Sequence, residues 1–274
     1  MRFLSFNIRY DNPADGLDAW PHRISAVADL IARYRPDAFG LQEAKKHQIE
    51  DLARALGGSP DLDYAWIGVG RDDGREGGEH NPVFYRRSAL TLEESGTFWL
   101  SDTPDQPGSR FAETPLPRIC TWGRLRRSGA KPFYFFNTHF DYRSTTAQEK
   151  SAALLLARIP ILAGLYPSVL LGDFNCAPSS VACRLLASTF FEDAREAAAA
   201  LPAELNVNAG AGTFTDFRSP AEAAVVLPGE ELVDHAFTSG FRIERREISL
   251  DVREDNGRSI SDHRALVVDA SIAV

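Results

Sequence analysis

The sequence predicts an α+β fold in which short core strands and amphipathic helices follow one another along the whole chain. Three stretches carry that prediction. Residues Arg2–Ile8 alternate, with Phe3, Ser5 and Asn7 on one face and Leu4, Phe6 and Ile8 on the other, as a core strand requires. From Arg23 to Tyr34, apolar residues fall at Ile24, Val27, Leu30, Ile31 and Tyr34, one face of a helix that Pro36 closes. The apolar run Val169–Leu171 reads as a buried strand, and Gly172 and the Pro178-Ser179 pair mark irregular backbone around its far end.

The remaining elements follow the same logic. Turn-rich Asp11–Gly16 is a loop. A short strand, Asp37–Glu43, precedes a helix over Lys46–Leu56 that Gly57-Gly58 terminates. Strands are expected at Tyr64–Val69, Pro82–Arg86, Thr91–Leu100, Ile119–Leu125 and Pro132–Phe140. Charged Gly70–His80 reads as a mobile loop, and Asp102–Pro117, with four prolines, as an ordered or semi-ordered one. An Ala/Leu-rich helix, Ala147–Ile159, should end or kink at Pro160. A helix over about Ser179–Ser188 and strands at Leu232–Thr238, Phe241–Leu250 and Ala265–Ala270 complete the chain. Ala194–Asn208 and Gly210–Leu227 read as irregular. With no internal repeat, linker or break in composition, residues 1–274 are expected to form one domain.

Composition narrows the function. The three cysteines, Cys120, Cys176 and Cys183, match neither a zinc spacing nor a disulfide framework, so Cys176 and Cys183 are expected to pack. A reducing, cytoplasmic setting is the simplest reading. The N-terminus is no signal peptide and no apolar run is long enough to span a membrane, so neither a membrane nor an obligate protein partner is expected. A net charge of −8 argues against tight, non-specific binding of long nucleic acids.

Polar residues recur where strands end: Asn7, Glu43, His139, Asp173 with Asn175, Asp234, and Asp262 with His263. Strand alternation points Asp173 and Asn175 to the same side, where they position a water or an oxyanion, or else form a turn. Taken together, these residues from distant segments suggest one site built by both halves of a sheet structure. Crowded carboxylates repel, and a divalent cation relieves that. Oxygen-only ligands point to magnesium or manganese rather than zinc, and such ions serve phosphoryl chemistry.

Five pieces, Ser5-Phe6-Asn7-Ile8, Leu41-Gln42-Glu43, Asn137-Thr138-His139-Phe140, Gly172-Asp173-Phe174-Asn175 and Ser261-Asp262-His263, resemble the endonuclease/exonuclease/phosphatase superfamily in order and spacing. The resemblance implies a four-layer α/β/β/α sandwich, with two mixed, mostly antiparallel sheets face to face and the active site at one edge. It implies Glu43 as the main metal ligand for Mg2+ or Mn2+, helped by Asn7 and, in some relatives, Asp262. Asp173 would hold or activate the attacking water, oriented by Asn175. His263 would contact the phosphate and is the rival general base, with Asp234 holding its ring. His139 would bind the phosphate or donate a proton. Relatives usually carry a basic residue before the Asp234 position and an aromatic after it. Here the stretch is Glu231-Leu232-Val233-Asp234-His235-Ala236-Phe237.

Further pieces are similar to a bacterial group of metal-dependent hydrolases: Asn7-Ile8-Arg9-Tyr10 followed by Trp20, Gly78–Tyr85, Ser95–Leu100, Pro117–Trp122 and Asp141-Tyr142-Arg143. Arg118, Arg143 and Asn81 lie in these pieces and are candidate substrate contacts. The two arginines could clamp a phosphate or pair with Glu79, Asp141 or Glu149. Trp20, Trp99 and Trp122 either stack on a substrate or pack. The expected activity is a phosphoesterase on a small phosphoester or an oligonucleotide end. The alternatives are a DNA or RNA nuclease, with Arg71, Arg75, Arg86, Arg87, Arg110, Arg118 and Arg143 lining a groove, and an inactive binding module.

Overall fold

The computed structural model describes residues 1–57, 60–188 and 190–273. In chain order the elements are β1 (Arg2–Asn7), α1 (Ile24–Tyr34), β2 (Ala38–Gln42), α2 (Lys46–Leu56), β3 (Tyr64–Ile67), β4 (Val83–Arg86), β5 (Leu90–Trp99), β6 (Ile119–Arg127) and β7 (Phe133–His139). They continue with α3 (Thr145–Ala163), β8 (Ser168–Asp173), α4 (Val181–Ala187), β9 (Glu192–Asp193), α5 (Ala194–Ala198), β10 (Asn206–Val207), β11 (Asp234–Ser239), β12 (Phe241–Ile248) and β13 (Leu266–Ile272). The strands form a seven-stranded sheet, in the order β10-β12-β13-β1-β2-β4-β3, and a six-stranded one, β5-β6-β7-β8-β11-β9. The pairs β1/β2, β10/β12 and β7/β8 are parallel and the others antiparallel.

Alternation along the strands sorts the apolar side chains into three cores. Phe3, Phe133, Phe135, Val169, Leu171 and Val268 fill the space between the sheets. Leu4, Phe6, Phe39 and Leu41 point the other way and meet Val27 and Ile31 of α1 and Ile49 and Leu52 of α2. Phe136 and Leu170 meet Leu155 and Ile159 of α3 and Leu186 of α4. The result is the expected four-layer α/β/β/α sandwich.

The inner faces change character along their length. Apolar Phe3, Phe133 and Phe135 give way to polar Ser5 and Asn137, and then to Asn7 and His139. Asn137 bridges the sheets: its Nδ2 donates to the Leu41 and Pro82 carbonyls (2.8 and 2.9 Å), and its Oδ1 accepts from Gln42 Nε2 (2.7 Å). Gln42 also donates to Ser5 Oγ at 3.2 Å. Gly40 makes room for this bridge, since a Cβ there would sit 2.4 Å from Asn137 Cγ.

Several expectations change. The helix does not end at Pro160; α3 runs to Ala163. Proline forfeits one helical hydrogen bond, but the extra turn buries Ala163 in the core. Within Ala194–Asn208 lie α5, with Asp193 Oδ1 accepting from Arg195 N–H at 2.7 Å at its start, and β10; both are too short to show periodicity. Residues 70–80 form a tied loop rather than a mobile one. Asp73 accepts from the N–H groups of Arg75 and Gly77, and His80 N–H donates to Ala44 O at 2.7 Å. Gly57 caps α2 by donating to Ala53 O, while Gly58 lies outside the described residues.

Gly40→Ala should cost roughly 2–4 kcal/mol, because the added methyl must displace a bonded buried amide. Urea unfolding checks this, and a variant as stable as the parent would mean that the two sheets slide apart there at no cost.

Candidate active site

Strand register places the expected residues in rows. In the six-stranded sheet His139 pairs with Asp173, and Asp173 with Asp234, so the ends of β7 and β8 and the start of β11 present three polar side chains side by side. In the other sheet Asn7 ends β1 opposite Gln42, and Glu43 follows β2 in a left-handed conformation (φ 63°). A non-glycine residue there is a strained turn of the kind found at functional sites. Asp262 and His263 come from the segment before β13, tied to β1 by Ser261 Oγ donating to Asn7 O at 2.8 Å.

The two rows meet at Asn7. Its Nδ2 donates to Asp173 Oδ2 (2.9 Å) and Glu43 Oε1 (3.1 Å) and lies 3.4 Å from His263 Nε2. Its Oδ1 accepts from Arg9 N–H at 3.0 Å, so the amide turns its nitrogen, not its oxygen, to the site. Asp234 Oδ2 holds His263 Nδ1 at 2.9 Å, and Asp173 Oδ2 is 3.7 Å from His263 Nε2. Asp173 and Asn175 both face the cleft, but strand alternation is not what aligns them. The strand stops at Asp173, Asn175 is left-handed (φ 50°), and Asp173 Oδ1 accepts from Asn175 N–H at 2.9 Å. The turn and the site are the same structure. Asn175 Nδ2 then donates to His139 Nε2 at 2.9 Å and to Phe140 O at 3.1 Å.

Burial and crowding set the charges. Burial, reinforced by Asp234, raises the Asp173 pKa to about 7. Burial opposes a charge on His263, but the carboxylates of Asp234, Asp173 and Asp262 outweigh it and raise the ring to about 10. His139 goes the other way. Burial, with Arg118, Arg71 and His263 nearby, holds it neutral, which does not suit a proton donor.

These residues line a cleft of about 530 Å³. Glu43, His139, Asp173, Asn175, Asp262, His263 and Arg118 all border it. Asp234 stands behind His263, fully buried. Asn81 is buried with its Nδ2 on Ile119 O (2.9 Å), and Arg143 is exposed over the Tyr142 ring; neither borders the cleft. Trp20, Trp99 and Trp122 are all buried and also stand outside it. Sequence reasoning did not assign Tyr10, Glu79, Tyr142, Phe214 and Glu231 to the site, although all five line it. Phe214 sits in a stretch without periodicity, yet its ring lies 5.1 Å from that of His263.

Two oxygen-rich groups could hold a cation. Asp173, Asp234 and His263 bring ligand-type atoms within 4.8 Å of one another. Glu43 and Asp262 face the open cleft near Asn7. Both groups suit a hard divalent ion.

The sequence profile of the Endonuclease/Exonuclease/phosphatase family matches residues 4–263, and the chain belongs to that family, whose members are hydrolases. A solved structure of a family protein from Bacteroides thetaiotaomicron is 32% identical over 100% of this chain and 98% of its own, with a TM-score of 0.86. A mannosyl-6-phosphatase from the same organism is 32% identical, covering 99% of this chain and 100% of its own, with a TM-score of 0.85. The human Nocturnin catalytic domain, 18% identical over 100% of this chain and 94% of its own (TM-score 0.73), shares the fold. Among curated proteins none matches the sequence.

In metal-free protein, Asp234→Asn should drop the His263 pKa well below about 10, because its closest carboxylate is lost while burial remains. An NMR titration of the ring checks this. A ring still titrating near 10 would show that Asp173 and Asp262 alone hold its charge.

Proposed function

We propose that this protein is a divalent-metal-dependent phosphoester hydrolase acting on a small phosphate ester, with water attacking phosphorus in line, and that residues 1–274 work as one unit. The observation that carries the reading is the meeting on Asn7 of carboxylates from both sheets and a His263 ring held by Asp234.

Magnesium or manganese fits the donor set, which is oxygen-rich and open to the cleft. Glu43 and Asp262 would hold the ion. Asn7 would join them only by turning its amide over, since its oxygen is bonded to Arg9 N–H. The Asp173–Asp234–His263 group is better suited to acid–base work, because the His263 ring there is cationic and its two nitrogens already face Asp234 and Asp173. When bound, the ion would neutralise charge developing on the phosphate. Asp173, with its raised pKa, takes the proton of the attacking water, and Asn175 N–H fixes the carboxylate. His263, cationic in its carboxylate pocket, contacts the phosphate rather than acting as base. Neutral His139 orients through Asn175.

A small substrate is favoured because the arginines do not form a track. Arg86 and Arg87 pair with Asp37 and Asp63 away from the cleft, and among the described residues the arginines bordering it are Arg9, Arg71 and Arg118. The similarity to a mannosyl-6-phosphatase supports a sugar phosphate.

The test is a panel of hexose phosphates, other phosphomonoesters, diesters, DNA and RNA, with magnesium and with manganese. Turnover of small esters is expected, cut by about 10²–10⁴-fold in Asp173→Asn, while Glu43→Gln weakens metal binding in a calorimetric titration. Turnover of nucleic acid alone, suppressed by salt, would replace this reading with a nuclease.

A further inference from the structure

Arg118 is an anomaly. It is 5% exposed, yet its Nε and Nη1 have no hydrogen-bond partner among the described residues. The other two arginines bordering the cleft are paired, Arg9 with Asp15 and Asp262 and Arg71 with Glu79. Leaving a buried guanidinium unpaired costs stability, and burial accordingly pushes its pKa down. The backbone around it is tied down on both sides. Leu100 N–H donates to Arg118 O (2.7 Å), and Asn81 Nδ2 and Thr138 Oγ1 donate to Ile119 O (2.9 and 3.0 Å). The fold therefore fixes the main chain and leaves Nε and Nη1 without a hydrogen bond, with the guanidinium 6.0 Å from the centre of the Tyr142 ring on the cleft that His139 also borders.

We propose that Arg118 is the specificity determinant for phosphomonoesters, its free guanidinium receiving the third non-bridging oxygen that a monoester has and a diester lacks. This rests on the hydrolase reading above. A monoester carries close to two negative charges at neutral pH, since its second pKa is about 6, and a planar guanidinium matches two phosphate oxygens at once. A diester has a single charge, and the corresponding oxygen is esterified and carries an organic group. Arg118 would then meet carbon, and the buried charge would stay unpaired. Asn81, expected from sequence to touch substrate, instead holds the start of β6, next to Arg118.

The test compares the parent with Arg118→Met, which keeps the bulk and removes the charge, and Arg118→Lys, which keeps the charge and loses the fork. Three quantities are read: kcat/KM for p-nitrophenyl phosphate and for bis(p-nitrophenyl) phosphate, inorganic phosphate binding to metal-free protein by calorimetry, and Tm. For Arg118→Met the monoester kcat/KM should fall about 100-fold and the diester value within about threefold, phosphate should bind at least about tenfold more weakly, and Tm should hold or rise. Arg118→Lys should recover part of the phosphate affinity. Equal losses for both esters, or unchanged phosphate binding in Arg118→Met, would overturn the proposal. If the parent hydrolyses neither ester, the hydrolase reading fails, and the phosphate titration alone decides on Arg118. An absence of phosphate binding by the parent would overturn it too.

Discussion

The site depends on how the two sheets are held at one end. Between them the chain needs an apolar core for stability and a polar pocket for chemistry, and both come from the same inward-facing positions. The buried bridge of Ser5, Gln42 and Asn137 is the boundary. Asn137 spends its amide on carbonyls and a side chain of the opposite sheet, and Gly40 lets the sheets approach closely enough for those bonds. One layer below is aromatic, and one layer above are Asn7, His139 and Asp173. A slip of one residue in any strand would turn these groups into the outer, helix-covered layers.

That placement explains the electrostatics. Asp173 and Asp234 are adjacent through strand pairing, so their repulsion follows directly from the fold. His263 relieves it by lying between them, which is why its ring is cationic and the Asp173 pKa is still raised. Asn7 is neutral and donates to carboxylates on both sides, joining the acid–base group to the Glu43 side without adding charge. On the proposed reading the cleft divides into a proton-transfer half around Asp173 and His263 and a cation half around Glu43 and Asp262, with Arg118 also bordering it.

Most of the fold was legible because its signals are local: alternation in β1, helical spacing in α1, the apolar run of β8. The candidate site residues could be gathered from the sequence because each lies at or near the end of a strand. What escaped the sequence is what depends on contacts between distant segments. Arg118 and Arg143 look alike in sequence, yet one is buried at the cleft and the other lies exposed on Tyr142. Asn81 looked like a substrate contact and is a strand clamp. Phe214 and Glu231 reach the cleft from a stretch with no period, placed by isolated bridges to each other and from Phe214 to His263. For Asp173 and Asn175 the sequence left both strand alternation and a turn open, and a left-handed turn is what aligns them.

The most direct measurement is a crystal structure with Mn2+ and inorganic phosphate, the metal located by its anomalous signal. The account predicts manganese on Glu43 and Asp262, phosphate between it and His263, and Arg118 on the phosphate oxygens. Manganese held instead by Asp173, Asp234 and His263, or phosphate bound away from this cleft, would contradict it.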